Sequence, residues 1–167
     1  IDDLLTLSPI KKLIGQIIAI LIIIYLGDLQ IDNMRGVLGV HELPGWISTL
    51  FTIFVVIVIT NGFNLIDGVD GLAAGIGVIA SLAFGIIALL MPGQGDIAII
   101  AFTLMGALLG FLRYNLHPAR IFMGDTGSLV VGMTLSVLAI NIIRNGLVTE
   151  TLHFPNKGPL LAIVILA

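Results

Sequence analysis

Five long runs of apolar residues dominate this sequence and leave few folds open to it. Of the 167 residues, 58% are hydrophobic and only 10% are charged, and the mean hydropathy is +1.18. A soluble domain needs more polar surface than this composition supplies. Within lipid, every backbone N–H and C=O must be paired, so only helices and closed barrels span a bilayer. The runs are too uniformly apolar for barrel strands, which alternate in polarity.

We therefore predict an all-α, polytopic integral membrane protein. About 20 apolar residues are needed to cross the hydrocarbon core, so the shorter runs should recruit flanking residues. The predicted helices cover residues 13–26, 46–60 with an extension through 64, 72–91, 97–112, 129–143 and a shortened run from 160. Because the chain starts at Ile1 and stops inside an apolar run, we expect one transmembrane domain over residues 1–167, truncated at both ends. The alternating connector 28–45 predicts a small β-hairpin.

Composition also excludes several classes of function. The sequence has no cysteine, which rules out disulfides, thiolate metal sites and thiol nucleophiles. The net charge is −3 and the seven Lys and Arg residues are scattered, so no basic stripe is available for nucleic acid. Small residues four apart, as at Gly106 and Gly110, predict helix packing surfaces.

Three polar segments are predicted on one side of the membrane, because two spans separate each from the next. They cover residues 2–13, 61–71 and 113–128. This side carries Lys11, Lys12, Arg113 and Arg120, whereas the other carries Arg35, Arg144 and Lys157. The weak excess of positive charge predicts that the first side is cytoplasmic.

These segments bring five carboxylates to that side: Asp2, Asp3, Asp67, Asp70 and Asp125. Asp70 is also placed to cap the helix that starts at Leu72. Two like charges about 4 Å apart repel by roughly 4 kcal/mol at an effective dielectric near 20, so converging carboxylates need a cation or a proton. Oxygen ligands without His or Cys favour Mg²⁺, with Mn²⁺ as the alternative. Beside basic residues, they predict a phosphoryl-transfer site.

Three motifs lie in these segments. They are Asn61-x-x-Asn64-Leu-Ile-Asp67-Gly-Val-Asp70-Gly-Leu-Ala, Asn115-x-x-Pro118-Ala-x-x-Phe122-Met-Gly-Asp125-Thr-Gly-Ser128-Leu, and Asp2-Asp3 followed by Leu-Ser-Pro-x-x-Lys-Leu-x-x-Gln16. In this order and between these spans, they resemble the polyprenyl-phosphate N-acetylhexosamine-1-phosphate transferases. The resemblance extends over essentially the whole chain, which corresponds to about the middle half of a family member.

The resemblance implies that a polyprenyl phosphate attacks the β-phosphorus of a UDP-sugar, giving a polyprenyl-diphospho-sugar and UMP. It implies Mg²⁺ as the cofactor, with Asp125 as its main ligand and Asn64 and Asp67 beside it. Asp2 and Asp3 would act on the lipid phosphate, as a base or as a metal-facing pair. Direct displacement and an aspartyl intermediate both stay open.

The remaining roles implied by the resemblance concern the substrates. Lys12 would be the counter-charge of the lipid phosphate, and Phe122 would stack on uracil. Asp70 and the backbone at Gly68 would hydrogen-bond the uracil edge. The same substrate pocket would be completed by Asn61, Asn115 and Arg120.

The choice of sugar depends on one residue. Ile66 stands where phospho-MurNAc-pentapeptide translocases usually have Thr, which favours transfer of GlcNAc-1-phosphate for teichoic acid or lipopolysaccharide synthesis. The alternative is the phospho-MurNAc-pentapeptide transferase of peptidoglycan synthesis. Either function predicts a multi-pass protein of the plasma or inner membrane, and a homodimer is compatible with the sequence. Since the family's His-rich loop has no counterpart before Ala167, we expect this fragment alone to be inactive.

Two functions of other classes compete with this interpretation. A cation-coupled secondary transporter would show matching interruptions in two repeated halves, and no such repeat is found. A CDP-alcohol phosphotransferase would begin its motif like residues 67–74. However, Gly75 replaces the expected Arg, and no pair of Asp residues follows within 72–91.

Overall fold

The computed structural model describes residues 8–34 and 39–145, which form five long α-helices. They are α1 Pro9–Leu26, α2 Gly45–Ile66, α3 Leu72–Leu90, α4 Gly95–Asn115 and α5 Gly124–Asn145. Each helix is long and apolar enough to cross a membrane. The all-α, polytopic membrane fold is therefore confirmed. The predicted span from residue 160 lies outside the described residues, as do Asp2 and Asp3.

The helix ends nearest the polar segments differ from the prediction in an informative way. α2 runs through Asn61 and Asn64 as expected, but α5 begins at Gly124, five residues before the apolar run. Its first turn therefore contains Asp125, where the free N–H groups and the helix dipole favour an anion. α1 also starts early, with Pro9 in its first turn, where the missing N–H costs nothing.

The prediction that Asp70 caps α3 is wrong. The N-cap is Gly71, which adopts a left-handed conformation with φ of +75° and makes no side-chain capping bond. A residue without Cβ adopts this conformation without strain. The Asp70 carboxylate instead accepts a hydrogen bond from the backbone N–H of Ala119, in the loop before α5.

The predicted hairpin is reduced to one antiparallel bridge between Asn33 and Glu42. The backbone N–H of Met34 donates to the carbonyl of His41 at 2.7 Å, and no β-strand forms within the described residues. Ile31 fastens the connector to α2, because its N–H donates to Thr52 Oγ1 at 2.9 Å.

Helix α5 lies at the centre of the bundle and packs closely against α2. Half of its membrane-spanning window is buried. A Cβ added at Gly132 of α5 would lie 2.9 Å from the Cα of Thr60 on α2, so the backbones approach more closely than any larger residue allows. By contrast, Gly106 and Gly110 have no neighbour within 4 Å of an added Cβ, and the predicted packing at these residues is wrong for the described bundle.

Two apolar clusters stabilise the described helices. The larger joins α2, α3, α4 and α5 around residues such as Phe63, Phe84 and Leu138. The smaller joins α1 to α2 and α5, with Ile20 and Ile24 as the contribution of α1. Many large apolar side chains outside these clusters are exposed, as a lipid-facing surface requires. The contacts of the candidate site lie at one end of this bundle.

Candidate active site

The start of α1, the end of α2 and the start of α5 meet at this end of the bundle. Lys12 of α1 forms an ion pair with Asp125 of α5. Asn64 of α2 donates its side-chain N–H to the same carboxylate, with 3.2 Å between Nδ2 and Oδ1. Three helices distant in sequence thus converge on one side chain. The predicted grouping of these residues on one side is confirmed.

Asp125 is held from several directions and remains partly open to solvent. Lys12 Nζ donates to its Oδ2, while Asn64 donates to its Oδ1. The Asn64 amide also donates to Ser128 Oγ at 2.7 Å, one turn further along α5. With 44% of its side chain exposed, Asp125 is both oriented by the protein and accessible to a ligand.

Asp67 lies beside Asp125, just after the end of α2. Burial raises the pKa of its carboxyl above the usual value, and the negative charge of Asp125 raises it further. A hydrogen bond from the backbone of Gly124 acts in the opposite direction. Since the two carboxylates repel each other, a cation between them would stabilise both in the ionised form.

The donor atoms at this site fit Mg²⁺ bound together with a diphosphate. Among the described residues, no three His, Cys, Asp or Glu side chains are grouped to hold a metal by themselves. Mg²⁺ in such sites typically takes one or two carboxylates plus substrate phosphates. Asp125 and Asp67 could supply the carboxylates. Asn64 would bind a metal through its amide oxygen, since its amide nitrogen is a donor and contacts Asp125 and Ser128.

Asp70 holds the loop between α4 and α5. Its Oδ2 accepts the Ala119 N–H at 3.1 Å and lies 3.0 Å from His117 Nδ1. The Ala119 hydrogen bond, followed by that of His117, lowers the pKa of Asp70 below its usual range. In this structure the carboxylate has a structural role, and its predicted contact with uracil remains a prediction.

Asn115 fixes the same loop from the other side. Its Oδ1 accepts the N–H of Gly71 at 3.0 Å, and its Nδ2 donates to the carbonyl of Ile121 at 2.9 Å. Asn115 is almost fully buried, so it can support a pocket but not contact a ligand. Phe122, which follows Ile121 in this loop, is 71% exposed and presents a free aromatic surface.

The other predicted substrate residues occupy different environments. Gly68 is exposed in the turn after α2. The backbone N–H of Arg120 donates to the Tyr114 carbonyl, which places Arg120 in the loop that carries Phe122. Asn61 lies one turn deeper than Asn64, where it pairs with Gln16 of α1. The motifs include Gln16 and Ser128, but sequence reasoning gave neither a role.

The signal for these two residues is their helical spacing. Gln16 follows Lys12 by four residues and Ser128 follows Asp125 by three, so each lies on the same helix face as a predicted site residue. Sequence alone does not say which helix lies opposite that face.

A groove of about 380 Å³ opens between α1 and α5 directly beside Lys12 and Asp125. Its rim carries the charges of Lys11, Lys12 and Asp125. Away from this rim the walls are formed mainly by small or apolar residues, namely Gly15, Ala19, Leu129, Val130 and Met133. The groove therefore joins a charged head to an apolar trough, which suits an amphiphilic ligand.

Comparison with known proteins identifies a family for the chain. The sequence model of a family described as "Glycosyl transferase family 4" matches residues 1–143. The chain is 44% identical over 130 residues to the phospho-N-acetylmuramoyl-pentapeptide-transferase of Moorella thermoacetica, covering 78% of the chain and 40% of that protein. Proteins of the same name from Listeria monocytogenes serotype 4b and Bacteroides fragilis are 40% and 41% identical over 144 and 131 residues. These matches cover 81% and 69% of the chain but only 43% and 31% of the relatives, so the chain spans less than half their length.

Proposed function

Since the chain belongs to glycosyl transferase family 4, we propose that it is the central part of a membrane enzyme that transfers a sugar-1-phosphate from a UDP-sugar to a polyprenyl phosphate. The observation that carries this proposal is the Asp125 carboxylate, held by Lys12 and Asn64 where the apolar groove opens. A polyprenyl phosphate has a dianionic head and a long apolar tail. The head suits the Lys12 ammonium, and the tail suits the walls of the groove.

The proposed reaction forms a bond between an oxygen of the lipid phosphate and the β-phosphorus of the UDP-sugar. The bond between that phosphorus and the oxygen bridging to the α-phosphate breaks, and UMP leaves. Asp125 and Asp67 would hold Mg²⁺, which would neutralise the negative charge that develops on the diphosphate oxygens as this bond breaks. The lipid phosphate is already anionic, so its attack needs orientation more than deprotonation.

The protein side chains would supply that orientation. Asn64 donates a hydrogen bond to the Asp125 carboxylate, which lines the groove. When the substrates bind, the Lys12 ammonium would leave the Asp125 carboxylate and form an ion pair with the lipid phosphate. Asp70 and Asn115 hold the loop that presents Phe122, which is available to stack on the uracil ring. Asp2 and Asp3 keep their predicted action on the lipid phosphate.

For the transferred group, we propose phospho-MurNAc-pentapeptide, because the similar relatives carry that name. This replaces the preference for GlcNAc-1-phosphate that Ile66 suggested. Ile66 is partly buried and packs against the larger apolar cluster, so its identity reflects helix packing as much as the sugar. The proposed setting is cell-wall synthesis, with the site on the cytoplasmic face of the plasma membrane.

The proposal is tested with the full-length gene product in membranes supplied with undecaprenyl phosphate and Mg²⁺. UMP release should be fast with UDP-MurNAc-pentapeptide and slow with UDP-GlcNAc. The rate should vanish after chelation and return with Mg²⁺, or in part with Mn²⁺. The reverse sugar preference would restore the GlcNAc hypothesis. Uptake of a solute by proteoliposomes without UMP release would instead support the transporter alternative.

A further inference from the structure

We propose that Gln16 and Asn61 form a positioning pair that holds the Lys12 ammonium at the site, an inference that rests on the proposed function. The two side-chain amides face each other between α1 and α2. Asn61 Nδ2 donates to Gln16 Oε1 at 3.0 Å, and Gln16 Nε2 donates to Asn61 Oδ1 at 3.4 Å. Asn61 Nδ2 also donates to the Ile57 carbonyl at 2.8 Å. Both amides are thus engaged by protein groups, although Asn61 was predicted to bind substrate.

The pair lies one helical turn below the site. Gln16 follows Lys12 by four residues on α1, and Asn61 precedes Asn64 by three on α2. In the upper turn, Asp125 is held between Lys12 and Asn64. In the lower turn, the amides join the same two helices directly. A single rotation or translation of α1 against α2 would therefore both break the amide pair and move Lys12 away from Asp125.

Within residues 8–34 and 39–145, the apolar anchors of helix α1 lie deeper than this pair. The groove separates α1 from α5 beside Lys12, and the α1 wall there includes the small residues Gly15 and Ala19. The apolar residues that anchor α1, Ile20 and Ile24, lie about one and about two turns deeper than Gln16. Gln16 is 7% exposed and Asn61 is half-buried, so the hydrogen bonds of the pair are partly shielded from solvent. We infer that the pair sets how far Lys12 projects over the groove.

This role predicts an effect on one substrate only. Lys12 faces the groove that would hold the polyprenyl phosphate. The residues proposed to hold the nucleotide lie on the turn after α2 and on the loop before α5. Loss of the amide pair should therefore raise the KM for the lipid and leave the KM for the UDP-sugar unchanged.

The experiment uses the full-length gene product with Gln16→Met and Asn61→Leu, which remove the pair with little change in side-chain volume. A double variant, Gln16→Asn with Asn61→Gln, exchanges the amides and keeps their combined length. UMP release is measured against undecaprenyl phosphate and against the UDP-sugar. Each single variant should raise the KM for undecaprenyl phosphate about tenfold, as expected for a displaced binding group. The exchange should restore most of the loss.

A matched control separates positioning from general destabilisation. Thr52 lies on α2, nine residues and so about 13 Å from Asn61 along the helix. Thr52→Val removes two buried hydrogen bonds, which Thr52 Oγ1 accepts from the Ile31 N–H and donates to the Ser48 carbonyl. It should leave both KM values unchanged. If Gln16→Met does not accumulate, the same test is given by comparing the exchange variant with its components, Gln16→Asn alone and Asn61→Gln alone.

A second readout does not depend on catalysis. Labelling of Lys12 by an amine-reactive reagent, followed by mass spectrometry, should increase in both single variants and return to the wild-type level in the exchange variant. The positioning role would be overturned by unchanged labelling of Lys12 or by an exchange variant that is no better than its component single variants. It would also be overturned if Asn61→Leu, but not Gln16→Met, raised the KM for the UDP-sugar. Failure of the proposed function is distinguishable, because the wild-type protein itself would then release no UMP.

Discussion

Substitution of Gly132 by alanine should loosen the contact between α2 and α5 and reduce activity at the site. The added Cβ would lie 2.9 Å from Thr60 Cα and 3.1 Å from both Thr60 O and Phe63 Cβ. Ordinary contacts begin near 3.4 Å, so α2 must move away by about 0.5 Å. Two of these atoms belong to the backbone and cannot rotate aside. Overpacking of this kind costs about 1–3 kcal/mol of stability.

The same displacement reaches the site. Thr60 lies one turn before Asn64, and Gly132 lies one turn after Ser128, so the shift acts where Asn64 contacts α5. The Asn64 Nδ2–Asp125 Oδ1 distance is already 3.2 Å, and an added 0.5 Å would exceed hydrogen-bonding range. We expect UMP release to fall about tenfold, since a small misplacement of an orienting group carries a large kinetic cost.

The assay is thermal unfolding in detergent together with UMP release from the full-length gene product. Gly110→Ala is the matched control, because its Cβ would meet no atom of the described residues within 4 Å. Alanine is favoured over glycine in a helix by up to about 1 kcal/mol, so this variant should be as stable as the wild type or slightly more stable. A Gly132→Ala protein with wild-type Tm and rate, or equal losses in both variants, would refute the reasoning.

Two further predictions concern single charges. Lys12→Met should raise the KM for undecaprenyl phosphate at least about tenfold, because a charge-assisted contact of this kind contributes about 1.5–3 kcal/mol. The KM for the UDP-sugar should change little. Equal effects on the two KM values would count against this prediction. Asp70→Asn should lower Tm at neutral pH, and the difference from the wild type should shrink as pH falls below about 4, the usual range of the carboxyl. The sign follows from the lowered pKa of Asp70, since its stabilising effect is present above the unfolded pKa and is lost as pH falls through the folded pKa; a Tm difference that widens in acid would contradict this.

The membrane fold was predictable because lipid leaves the backbone so few choices. Run length alone placed all five helices, and counting spans placed Asp67 and Asp125 on the same side. The helix starts were less predictable. Asp125 and its neighbours interrupt the apolar pattern, yet they begin α5, because polar side chains are favourable beside the unpaired N–H groups of a first turn.

The packing details were beyond the sequence for a different reason. Gly106 and Gly110 have the spacing of a packing motif but no neighbour in the described bundle, whereas Gly132, which has Ser128 and Ser136 rather than glycine four residues away, touches α2. Similarly, Asn61 and Asn64 share a helix face, but only the position of α1 shows that Asn61 meets Gln16. Spacing defines a face, and tertiary structure decides what lies opposite it.

The most direct test of the site is the rate of UMP release by Asp125→Asn compared with Asp28→Asn. Both changes remove one carboxylate charge, but Asp28 lies at the opposite end of the bundle, paired with Arg144 and 84% exposed. Asn also tolerates the left-handed backbone at that position, where φ is +47°. Asp125→Asn should reduce the rate about 10²–10³-fold, the range for loss of one charge-stabilising group, whereas Asp28→Asn should stay within about twofold of the wild type. A near-normal rate for Asp125→Asn would contradict a phosphoryl-transfer site built on this carboxylate.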